Sequence, residues 1–129
     1  MAANTFNQFK IFSGTSTKGL EDEINGFLCK NAGHIKIVKR TMNVVSWGKA
    51  ATWDPIIQIV IGYKEQKMVY SERIRISGFE RYDASKRSED WSKEAILNGA
   101  EITDLLYSSL IANTQYSHVT CILAVFLKV

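Results

Sequence analysis

Two stretches of the chain are apolar on both faces. Residues 56–63 (IIQIVIGY) and 119–127 (VTCILAVFL) carry hydrophobic side chains at odd and even positions almost throughout. A strand of that kind has no face to give to water, so it must run in a sheet interior with cover on both sides. The chain must therefore supply neighbours and a covering layer for both runs.

The neighbours can be read from the remaining segments. Gln8 to Ser13 has the composition of a strand. Leu20, Ile24, Phe27 and Leu28 recur at helical spacing, so Lys18 to Lys30 is predicted to be an amphipathic helix. Ser16 or Thr17 is its N-cap, and Glu21, Asp22 and Glu23 are expected in its first turn, where the helix dipole favours negative charge. Gly33 fits the stop after its end. Ile35 to Ser46 is a further strand, whose alternation breaks at Val38, Lys39 and Arg40 and predicts a bulge or bend there. Met68 to Ile76 alternates, with Met68, Tyr70, Ile74 and Ile76 on one side and Val69, Ser71, Arg73, Arg75 and Ser77 on the other.

Trp91 to Asn113 is predicted helical, as one long helix or two meeting near Gly99. Ala95, Ile102, Leu105, Leu106 and Leu110 would form its buried side. The order β-α-β-β-β-α-β predicts a single α+β domain over residues 1–129. It would be a two-layer sandwich with a mixed, largely antiparallel sheet and its helices on one face. The side of the sheet left uncovered would meet another copy, which predicts a homo-oligomer.

A chain of 129 residues with 46% hydrophobic content buries roughly two-thirds of its extended surface and needs no disulfide or metal to fold. Cys29 and Cys121 lie in apolar surroundings and read as buried thiols. Neither belongs to a CxxC pair, and with His34 and His118 the only histidines, no zinc site and no cofactor are expected. No apolar run is long enough to span a bilayer, and the N-terminus shows no signal core, so a cytoplasmic protein without a membrane partner is expected. The net charge of +3 admits small anions as well as nucleic acid. Its mixed signs fall short of the basic face that duplex binding requires.

The turn "SGTSTKGL" after the first strand invites a test for a phosphate loop. Gly14 is followed by Gly19, but Leu20 stands where a Walker loop needs lysine, and no GxGxxG is present. What remains is a capped helix start, which can still assist an anion if one is nearby.

The run "RIRISGFERYDASKR" carries Arg73, Arg75, Arg81, Lys86 and Arg87 interleaved with Phe79 and Tyr82. On a strand, Arg73 and Arg75 share a face about 7 Å apart, a spacing that suits two phosphates. Guanidinium groups offer planar forks of donors to such groups, and Phe79 and Tyr82 can stack on a purine. Arg87 adds a cation, and Asn98 is placed to read a base or a ribose. The competing interpretation is a solvated charged loop in which Glu72, Glu80, Asp83, Glu89 and Asp90 partner the cations. Trp47 and Trp53, near Lys49, would form a ligand lid, an oligomer contact, or a folded-back loop. Trp91 reads as core or interface. No Ser, His and Asp set declares itself, and no catalytic residue is assigned.

The segments "FKIFSGTSTKGLEDEINGFL", "HIKIVKR" and "IIQIVIGYK" resemble two groups of small bacterial and phage proteins. One is a sporulation protein about half this length. The other is the phage Thoeris anti-defence family, of about this length, which the chain resembles over Lys10 to Lys64 and in layout beyond. That resemblance implies a non-enzymatic sponge that holds a cyclic ADP-ribose isomer made by the host's TIR-domain enzyme, working as a dimer or larger assembly with ligand sites near subunit contacts. The family's use of arginines for phosphates and a ring for adenine agrees with Arg73, Arg75, Phe79, Arg81, Tyr82, Arg87 and Asn98 as the ligand set. The sporulation protein implies instead a structural or regulatory interaction module without a small ligand.

Overall fold

The computed structural model describes residues 4–46, 55–80, 99–113 and 118–129. The elements run β1 (Gln8–Gly14), α1 (Thr17–Lys30), β2 (Ile35–Ser46), β3 (Pro55–Glu65), β4 (Glu72–Glu80), β5 (Glu101–Asn113) and β6 (His118–Lys128). They form two three-stranded sheets of order β1-β3-β2 and β4-β6-β5, with every pairing antiparallel. The two doubly apolar runs, β3 and β6, are the central strands, one in each sheet. The inner faces meet in a single core that includes Phe12, Ile57, Ile59 and Ile61 from the first sheet and Ile74, Ile122 and Phe126 from the second. The α+β sandwich expected from the sequence is what the chain forms.

Helix α1 lies against both β1 and β4, while β2 runs beside β5. Leu20, Ile24 and Leu28 are its buried stripe. Two polar side chains of the helix also serve the free edge of β4. Asn25 donates to the Ile74 carbonyl at 3.0 Å and accepts from the Ile74 amide at 2.8 Å, and Glu21 accepts from the Ile76 amide at 2.8 Å. An edge that would otherwise template another strand is thereby occupied.

Several expectations change. The predicted helix over Trp91 to Asn113 is, from Glu101 to Asn113, strand β5; residues 91–98 lie outside the described residues. Ile102, Leu105, Leu106 and Leu110 satisfy a helical spacing, but Leu106 also alternates with Leu105 and Tyr107, and pairing with β6 decides the period. The strand expected from Met68 starts at Glu72 and continues to Glu80. Helix α1 starts at Thr17 with Ser16 as N-cap, its Oγ accepting from the Gly19 amide at 3.1 Å. Glu21, Asp22 and Glu23 therefore fall beyond the first turn. Cys29 is exposed, whereas Cys121 is buried.

The expected irregularity in β2 is a bulge. Ile37 pairs with Tyr63 and Lys39 with Gly62, leaving Val38 as the extra residue. The bulge inverts the alternation. Without it Lys39, Thr41 and Asn43 would face the core; with it Arg40, Met42 and Val44 do. Val44 is buried and Met42 packs against the core.

Arg40 enters the interior with its charge matched. Its Nη2 donates to both carboxylate oxygens of Glu72 at 2.6 Å, and Nη1 stands 3.6 Å from Asp104. The guanidinium lies over the Phe126 ring at 5.1 Å. A second bulge, between Ile102 and Asp104, sets Thr103 apart, and its hydroxyl donates to Glu72. Bulges from two sheets thus converge on one buried ion cluster, whose pair members are 12% and 6% exposed.

Arg40→Ala strands the Glu72 carboxylate, and urea unfolding should show a loss of about 3–5 kcal/mol. Arg40→Met combined with Glu72→Leu should recover much of that loss. A cost below about 1 kcal/mol for the single variant would mean that the pair behaves as an exposed bridge.

Candidate ligand-binding site

The inward turn of Glu72 sets the parity of β4. Ile74 and Ile76 are buried behind it, and the residues between them face out. Arg73 and Arg75 therefore share the outer face of the second sheet, as the sequence predicts; Arg73 is exposed and Arg75 half-buried.

Strand register turns this face into an ordered grid. Arg73 lies opposite Leu127, which lies opposite Ile102. The next row holds Arg75, Val125 and Leu105, followed by Ser77, Leu123 and Tyr107, then Phe79, Cys121 and Ser109. Cations and Phe79 thus belong to β4, an apolar floor to β6, and Tyr107 to β5. Cys121, Leu123 and Val125 are buried and form their own cluster with Leu127. On β5, Leu105 is 46% and Tyr107 55% exposed. The floor separates the β4 and β5 side chains by two strand spacings, about 10 Å.

Hydrogen bonding to Cys121 first, and burial second, push the Tyr107 phenol above its ordinary pKa. The ring stands largely exposed on the β5 side of the floor. The sequence reading missed Tyr107, together with Leu105 and Ser109, because a helix over that segment scatters them. Their period-two spacing was the signal available.

Of the sequence-predicted residues, Arg73, Arg75 and Phe79 come together on this face by register. Arg81, Tyr82, Arg87 and Asn98 lie outside the described residues, as do Trp47, Trp53 and Trp91. His34 is exposed at the turn before β2. Among the described residues no group of three His, Cys, Asp or Glu side chains gathers to hold a metal, and no helix is long and apolar enough to cross a membrane. The capped turn at Ser16 spends a helix N-terminal amide on its own side chain.

Comparison with family models, curated proteins and solved structures finds no match to the chain.

A phenol whose pKa is raised in the fold holds its proton more tightly there than in the unfolded chain. Its contribution is present below the unfolded pKa and lost as pH rises through the folded one. The melting temperature of the wild type should therefore fall more steeply above about pH 10 than that of Tyr107→Phe. In a tyrosinate absorbance titration, Cys121→Ala should return the late-titrating phenol to the ordinary range. Superimposable titration curves would refute the Tyr107–Cys121 contact.

Proposed function

We propose that the protein is a non-enzymatic sponge for a cyclic nucleotide signal of the cyclic ADP-ribose kind, and that it blocks a bacterial anti-phage defence by withholding that signal. The observation that carries this reading is the placement of Arg73 and Arg75 on successive outward positions of β4, beside an apolar floor that leads to Tyr107. Such a ligand presents two phosphates and flat rings. Two guanidinium forks about 7 Å apart match the first, and the exposed Tyr107 ring, across the buried β6 row, can stack on the second. Phe79, Arg81, Tyr82, Arg87 and Asn98 complete the proposed set.

A sequestering protein gains most from slow release. Strand pairing fixes the backbone that carries the arginines, so binding has only side chains to order, which favours tight retention. The proposal includes self-association into a dimer or larger assembly, with a second copy enclosing the ligand. Sedimentation should show a species heavier than one chain.

Isothermal titration with a cyclic ADP-ribose isomer should give tight binding. Arg73→Ala and Arg75→Ala should each weaken it by about 1.5–3 kcal/mol through loss of a charge-assisted bond. After heat denaturation the ligand should be recovered with its mass unchanged. A product of altered mass would indicate a hydrolase, and absence of binding would leave an interaction module of the sporulation-protein type.

A further inference from the structure

The outer face of the first sheet has a different chemistry, and the bulge at Val38 creates it. Register places Phe9, Gly62 and Lys39 in one row, Ile11, Val60 and Thr41 in the next, and Ser13, Gln58 and Asn43 beyond. On the other side of the first row, Lys64 and Lys36 are direct partners and face the same way as Gly62. Lys39 points outward because the extra residue before it inverts the strand.

Two aromatic rings join these lysines. Phe9 is 65% exposed, and the Phe6 ring lies against Gly62 so closely that a Cβ there would come within 2.7 Å of it. Three ammonium groups and two rings thus share one sheet face, and the rows named contain no carboxylate. At the open end of the face, Phe6, Asn7, Gln8, Lys64 and Glu65 border a groove of about 330 Å³, in which Glu65 is the one acid.

Two features of this face are unfavourable to the isolated chain. Lysines directly opposite one another on paired strands repel. Exposed aromatic and aliphatic side chains on an edge strand, here Phe9 and Ile11, expose the sheet to unwanted association. Both penalties are relieved by a partner that brings negative charge and flat rings together.

We propose that this face binds single-stranded nucleic acid. Lys36, Lys39 and Lys64 follow the phosphates, and Phe6 and Phe9 receive unpaired bases by stacking. Duplex nucleic acid keeps its base faces covered, so the face selects single strands. A second copy is disfavoured as the occupant, because placing the face against itself gathers the lysines of both chains.

The full chain should raise the fluorescence anisotropy of labelled oligo-dT or oligo-rU of about 12 nucleotides, within the ~4–16 nucleotides covered by small single-strand modules. Affinity should fall with salt at a log–log slope near −2, about −0.7 for each lysine. Lys64→Ala should lower that slope by about 0.7, and Phe9→Ala should weaken binding about 5- to 100-fold. Circular dichroism melts confirm that each variant is folded. The proposal is overturned if the folded wild type leaves the anisotropy unchanged or binds a duplex of equal length as well. It is also overturned if neither variant weakens binding, or if Phe9→Ala instead converts a dimer to a monomer.

Discussion

The structure turns on a charge placed inside. Arg40 reaches the space between the sheets because β2 carries one residue more than its partner at Val38. The Glu72 carboxylate that receives it opens β4, and Thr103, itself set out by a bulge in β5, donates to the same carboxylate. A buried ion pair contributes little net stability against a well-packed apolar alternative, but it discriminates strongly among arrangements. A shift of one residue in either strand leaves a guanidinium or a carboxylate alone in the interior. For this chain we take registry to be the role of the pair.

That registry fixes what the protein shows to solvent. With Glu72 inside, Arg73 and Arg75 must stand outside. With Arg40 inside, Lys39 joins Lys36 and Lys64 on the opposite outer surface. One cluster therefore sets the parity of two cationic faces on different sheets, the first beside an apolar floor and Tyr107, the second beside Phe6 and Phe9. Helix α1 takes no part in either face. Its work is to fill the flank between β1 and β4 and to satisfy the β4 edge through Asn25 and Glu21.

Much of this was legible in the sequence where a period was unambiguous. The doubly apolar runs named the two central strands, and the alternation of Ile74 and Ile76 with Arg73 and Arg75 gave the outward pair. The break at Val38 announced the bulge. The sequence did not reveal that the central strands belong to separate sheets, because strand pairing is a long-range choice that local pattern does not encode. Glu101 to Asn113 misled for a related reason. Paired leucines fit a helical stripe as well as a strand, and only pairing with β6 separates them. Tyr107 was lost with that segment. Arg40 looked like one more surface cation, since nothing near it in sequence announces Glu72 as its partner.

Two single-residue deletions in β2 test this account most directly. Val38 is the residue without a partner, so its deletion lets Ile37 and Lys39 pair in regular alternation with Tyr63 and Gly62 and leaves Arg40, Met42 and Val44 turned inward. That variant should keep cooperative thermal unfolding by circular dichroism. Deletion of Thr41, an exposed residue beyond the bulge, puts either Arg40 or both Met42 and Val44 on the wrong face, and loss of cooperative unfolding is the predicted result. A Thr41 deletion that melts cooperatively at the wild-type temperature would contradict the claim that the inward parity of Arg40, Met42 and Val44 holds the fold.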